Sequence, residues 1–139
     1  MNLCLFDLDH TLLPLDSDHE FGEFLVRKGL ADAASYRARN DGFYQQYCDG
    51  TLVLAEYIAF TTSTWRELDA AGQAALQADY MSEVILPAME PAALELVAEH
   101  RARGDLIAIV TATNEFVTRP IAEAFGVKDL IAVNLEIGR

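Results

Sequence analysis

The chain has 139 residues, 52% of them hydrophobic and 23% charged, which is enough apolar material for the core of a single domain. Its formal net charge of −12 weighs against nucleic acid or an anionic membrane surface as partner, since both rely on clustered Lys and Arg. Two cysteines cannot build a disulfide framework, the N-terminus carries no leader pattern, and no apolar run approaches the ~20 residues of a membrane span, so a cytoplasmic protein is expected.

Leu3-Cys4-Leu5-Phe6 is a continuous apolar run and predicts a strand buried on both faces, as in the centre of a parallel sheet. Asp7 and Asp9 follow at its carboxyl end, where α/β sheets bind ligands. Two carboxylates so spaced can converge on one hard cation, for which Mg²⁺ is expected. One of them can then attack a phosphoryl group while the other exchanges protons with the leaving group and with water. The same string, Asp7-Leu8-Asp9-His10-Thr11, also suits a solvated turn in which Asp9 or Thr11 caps a helix.

Helices come next. Ser17 with Glu20 three residues later predicts a capping box, followed by Phe21, Phe24 and Leu25 on one face and a stop at Gly29. Further helices are expected over 31–48, 52–65 and 68–84, with Tyr36, Phe43, Tyr44, Tyr47, Tyr57 and Phe60 forming an aromatic core for this segment. Pro87 and Pro91 bracket the exit, and a helix over 92–103 stops at Gly104. His100, late in that helix, is explained by a contact with the helix dipole, and Cys4 and Cys48, which lack metal-ligand spacing, read as packing residues.

A second strand, Leu106 to Val110, runs straight into Thr111. The Thr111 hydroxyl and the neighbouring backbone N–H at Ala112 can hold a phosphoryl oxygen. Thr111, Thr113 and Asn114 equally suit the start of the next helix. A third strand is expected over Leu130 to Val133.

Phe6-Asp7-Leu8-Asp9-His10-Thr11-Leu12 resembles the first motif of the haloacid dehalogenase-like hydrolases, most of which are phosphatases. The resemblance implies that Asp7 becomes an aspartyl-phosphate, that Asp9 is the general acid/base, and that Thr11 steadies the loop; Thr111 matches the second motif of that family. The long insertion after the first motif is similar to the helical cap of the phosphoserine phosphatase-like branch, subfamily IB. Asp16-Ser17-Asp18-His19-Glu20-Phe21, Arg39-Asn40-Asp41 and the run Thr111 to Ala122 strengthen that likeness. It implies an α/β fold with a Rossmann-like parallel sheet core, incomplete at about three strands, from residues 1–14 and 86–139, and a helical cap from residues 15–85. It also implies a Mg²⁺-dependent phosphatase acting on a small phosphorylated metabolite. Asp16 is the nearest match to the acid with which such enzymes recognise a substrate amine, but their carboxylate-binding arginine has no clear counterpart here.

The family has two further motifs, a lysine and an acidic pair, and neither can be assigned before Arg139. After Thr111 the sole lysine is Lys128, and Glu115, Glu123, Asp129 and Glu136 do not fit the acidic pattern. In the family order the first strand is central, so a three-stranded version leaves it with an unpaired edge that invites self-association. The chain therefore reads as an N-terminal piece of a longer enzyme or as a short form that needs a partner. The alternative function is a truncated, non-catalytic binding or interaction module. A phosphoacceptor signalling domain is disfavoured, because such domains lack a long helical insertion after the first strand.

Overall fold

The computed structural model describes residues 1–136 as an α/β protein. Strands β1 (Leu3–Asp7), β2 (Leu106–Asn114) and β3 (Asp129–Val133) form an open parallel sheet in the order β1-β2-β3. Leu3 lies opposite Leu106 and Asp7 opposite Val110, while Ala108 faces Asp129 on the other side of β2. Parallel neighbours cannot be joined by a hairpin, so β2 reaches β3 through helix α7 (Glu115–Ala124). The register of β2 against β3 shifts between Val110 and Asn114, and this irregular stretch carries Thr111 to Thr113 beyond the end of β1.

Alternation along the strands gives the sheet two unlike faces. Cys4, Phe6, Ile107 and Ile109 share one face, on which Ile109 is fully buried. Leu3, Leu5, Leu106 and Ile131 share the other and are each more than half exposed. The double burial expected of β1 is therefore not found among the described residues, because β1 is the edge of the described sheet and its residues alternate between exposed and half-buried.

Two compact units divide the chain, Met1–Phe21 with Leu76–Arg139, and Gly22–Ala75. The first holds the sheet, α6 (Pro91–Ala102) and α7, around fully buried Leu8, Leu13, Ile85, Val97, Ile109 and Ile121. Helix α4 (Ala70–Tyr80) passes here into a π-helical turn, Met81–Ile85, and a short turn α5 (Leu86–Ala88). The Leu86 N–H reaches back to Met81 O, a wider turn placed just ahead of Pro87, whose ring has no N–H to continue the ladder.

The second unit is helical. Helix α2 (Ala33–Asp49) starts at Asp32, whose side chain accepts from Ser35 N, and stops at Gly50 in the left-handed region, φ 72°. Helix α3 (Leu54–Thr62) brings Phe60 against Tyr36 and Phe43, with Tyr57 edge-on to Phe43, at ring separations of 4.8–5.4 Å. Tyr44 and Tyr47, expected in this core, are instead 68% and 69% exposed. Helix α1 (Ser17–Arg27) runs from the first unit into the second.

Candidate active site

The site is built on the turn that follows β1. The Thr11 and Leu13 N–H groups both donate to Leu8 O, at 3.2 and 3.0 Å, and His10 N–H donates to Leu15 O at 3.1 Å. His10 sits at φ 56°, a conformation that non-glycine residues seldom adopt. Leu8, Leu12 and Leu13 hold the turn in place, each at most 3% exposed, and burying one such side chain contributes roughly 1.5–3 kcal/mol. That exceeds the cost of one strained residue, about 1–3 kcal/mol, when summed over three leucines.

Asp7 ends β1 exposed, and its Oδ2 accepts from Thr11 Oγ1 at 3.1 Å. Asp9 is gripped from two elements. Its Oδ1 accepts Ser17 N–H at 2.6 Å, and its Oδ2 accepts from Thr113 Oγ1 at 3.0 Å and from Thr111 Oγ1 at 3.4 Å. Thr111 and Thr113 are two residues apart on β2 and so point the same way, with Ala112 between them exposed. The network closes on itself, since Thr113 N–H donates to Thr111 Oγ1 at 3.2 Å and Ser17 Oγ donates to Thr113 Oγ1 at 3.3 Å. Ser17 is fully buried, and its carbonyl accepts from Tyr80 Oη at 2.7 Å. Burial pushes the Tyr80 phenol far above its ordinary range, and the carboxylates of Glu20, Asp9, Asp18 and Asp16 add to the effect.

Asp16 starts α1, its Oδ1 accepting the N–H groups of Asp18 and His19, both at 3.0 Å. The expected Ser17–Glu20 capping box is thus replaced by Asp16, while Ser17 N–H is spent on Asp9. Asn114 takes the helix-starting role at α7, where its Oδ1 accepts Val117 N–H at 3.2 Å. Sequence reasoning left Thr113 among the helix starters and missed Ser17; the two-residue spacing of Thr111 and Thr113 was the available signal.

The donor set is made of carboxylate oxygens, which suit a hard divalent cation such as Mg²⁺. Asp7 offers an exposed carboxylate, whereas both Asp9 oxygens already accept protein donors. Thr hydroxyls can donate or accept, so the Thr111–Thr113 pair can follow Asp9 through either protonation state. Such a pair of carboxylates, one open and one held at the edge of a strand, can divide attack and proton transfer between them.

The model of the haloacid dehalogenase-like hydrolase family matches residues 4–139. The chain belongs to the haloacid dehalogenase-like hydrolases. It is 36% identical over 137 residues to the histidinol-phosphatase of Neisseria meningitidis serogroup C (strain 8013), across 99% of this chain and 62% of that protein. A solved structure of a protein with unknown function from Bordetella pertussis Tohama I is 46% identical, with a TM-score of 0.87 over 97% of this chain and 61% of the other. The phosphoserine phosphohydrolase-like protein of Francisella tularensis subsp. tularensis SCHU S4 shares the fold at 16% identity, with a TM-score of 0.66 over 99% of this chain and 61% of its own. The chain of this haloacid dehalogenase-like hydrolase spans about three fifths of the length of these relatives. Among its described residues no helix is long and apolar enough to cross a membrane.

Proposed function

We propose that the protein is a Mg²⁺-dependent phosphatase that hydrolyses a small-molecule phosphomonoester through an aspartyl-phosphate at Asp7. The observation that carries this reading is the contrast between the two carboxylates: Asp7 is open beside Thr11, and Asp9 is locked by Ser17, Thr111 and Thr113. An Asp7 carboxylate oxygen attacks phosphorus, the ester P–O bond breaks, and the departing oxygen takes a proton from Asp9. Water then gives a proton to Asp9 and attacks the same phosphorus, releasing inorganic phosphate and restoring Asp7. Mg²⁺ held by Asp7 and Asp9 would offset the repulsion between nucleophile and phosphate. On this reading the Thr111 hydroxyl and the Ala112 N–H, which lie in β2 beyond its last pairing with β1, receive a phosphoryl oxygen. Residues 1–14 and 86–139 serve as the catalytic core, residues 15–85 select the substrate, and Asp16 is the candidate acid for a substrate amine. The named activity of the Neisseria relative supports a phosphate monoester as substrate class. A cytoplasmic location fits the composition.

A second reading is favoured by one observation. The described sheet has three strands, with the apolar residues Leu3 and Leu5 exposed along edge strand β1. On that reading the 139-residue chain alone is an incomplete binding module that self-associates through the open edge. The deciding experiment is hydrolysis of an aryl phosphate by this chain with Mg²⁺, with EDTA, and with Asp7→Asn, alongside its mass in gel filtration. Turnover abolished by both EDTA and Asp7→Asn supports the phosphatase. Turnover that survives Asp7→Asn overturns the assigned nucleophile, and no turnover by a folded, associated chain supports the second reading.

A further inference from the structure

Three side chains that sequence reasoning kept apart meet at the other end of the sheet. Cys4 of β1, His100 of α6 and Asp105, just before β2, place one ligand atom each within 4.8 Å of one another. Cys4 Sγ lies 3.1 Å from His100 Nδ1, and Asp105 Oδ2 lies 2.9 Å from that same nitrogen. Cys4 is three strand residues from Asp7, about 10 Å along β1, and points to the opposite face. The cluster is therefore separate from the Asp7–Asp9 site.

Hydrogen bonding accounts fully for only one of the two approaches to Nδ1. With its proton in place, Nδ1 donates to Asp105 Oδ2, and the Cys4 sulfur, which also lies 3.9 Å from Nε2, rests against the ring as a weaker second neighbour. A cation at the centre would engage all three ligand atoms at once.

The geometry points to a site for a borderline divalent transition-metal ion of the Zn²⁺ class, bound by Cys4 Sγ, His100 Nδ1 and Asp105 Oδ2. Thiolate, imidazole and carboxylate are the ligand types Zn²⁺ takes, and two anionic ligands neutralise its charge. Ideal tetrahedral bonding sets the ligand atoms roughly 3.4–3.6 Å apart, so binding needs the observed pairs to open by about half an ångström. The surroundings hold the ligands in place. Asp105 Oδ1 accepts Asn2 N–H at 3.0 Å, which turns Oδ2 inward, and the Phe6 ring packs edge-on to the imidazole at 5.7 Å. The Asp105 side chain is 4% exposed and that of His100 21%, which leaves the fourth position reachable by solvent. Such an ion would tie edge strand β1 to the α6–β2 corner.

The test titrates the reduced, chelator-treated 139-residue chain with Co²⁺ and with Zn²⁺. One equivalent of Co²⁺ should bring a thiolate-to-cobalt charge-transfer band and the visible bands of a tetrahedral ion, both displaced by Zn²⁺. At a hundredfold excess over its Kd, Zn²⁺ should raise Tm by roughly 10 °C. Cys4→Ser and His100→Gln should each abolish the charge-transfer band, while Cys48→Ser and Asp7→Asn keep it. No such band in the unmutated chain, or a band lost in Cys48→Ser but kept in Cys4→Ser, overturns the proposal. The unmutated spectrum and the Cys48→Ser control decide the matter even where a ligand variant fails to fold.

Discussion

Thr113 Oγ1 donates to Asp9 Oδ2 across 3.0 Å, joining residues 104 positions apart in the chain. The contact links the turn after β1 to the end of β2, and Ser17 N–H completes the hold on the carboxylate. On the proposed function Asp9 is the acid/base that meets the leaving group, and such a group gains most from being held at one angle. Thr113→Val should therefore lower kcat on a phosphomonoester by about 10²-fold, while Thr113→Ser, which keeps the hydroxyl, restores most of it. Steady-state kinetics with circular dichroism as a folding control tests this, and equal rates for Val and wild type would remove Thr113 from the machinery.

Tyr80 is 2% exposed and its hydroxyl donates to Ser17 O. Tyr80→Phe should cost about 1 kcal/mol at neutral pH. The phenol pKa is raised in the folded state, so its contribution is complete below the unfolded value of about 10 and is lost as pH rises above it. Between pH 8 and pH 11 wild type should accordingly lose more stability than Tyr80→Phe, as read by urea unfolding at the two pH values.

Asp32 behaves in the opposite sense. Hydrogen bonds from Ser35, first from its backbone N–H, hold the Asp32 carboxyl below the usual range. A lowered pKa gives a contribution present above the unfolded value of about 3.9 and lost as pH falls through the lower folded value. Asp32→Asn keeps a good cap without a titrating group, so its stability below pH 4 should fall less steeply than that of wild type in acid-unfolding curves.

Gly22 lies in α1 where a Cβ would stand 2.8 Å from Tyr36 Cε1 and Oη. Ala in place of helical Gly gains about 1 kcal/mol in propensity, but overpacking a buried ring costs about 1–3 kcal/mol. Tyr36 is 9% exposed and stacked on Phe60, so it has little room to give. Gly22→Ala should be destabilising by about 1 kcal/mol in chemical denaturation. A stabilised variant would mean that the ring moves freely.

Leu5 is 58% exposed on the edge strand. Should the chain self-associate there, Leu5→Lys places a charge in the contact and shifts the gel-filtration mass toward the monomer. An unchanged mass would move the contact to another surface.

Much of this arrangement was legible in the residues. The apolar run Leu3 to Phe6 announced the strand that ends at Asp7, and the strand expected over Leu106 to Val110 was found, although it runs on through Thr111 to Asn114. Burial was less legible, because an apolar run says that a face can be covered and not what covers it. Tyr44 was misplaced because it stands ~100° around α2 from Phe43, although both fit a loose aromatic periodicity. The roles of Thr113 and Ser17, and the meeting of Cys4 with His100 and Asp105, depend on the β1–β2 register, which brings together residues nearly the whole chain apart. No local pattern encodes such a pairing.

That register also sets an order of events during synthesis. Strand β1 leaves the ribosome first, but its partner Leu106 follows roughly a hundred residues later, a delay of about 5–20 s at ordinary elongation rates. Throughout that interval β1 is a short apolar segment without its β2 partner, while the helices of Gly22–Ala75 can already form from local contacts. Asp7 and Asp9 thus leave the ribosome well before Thr111 and Thr113, the side chains that will hold Asp9 at one angle.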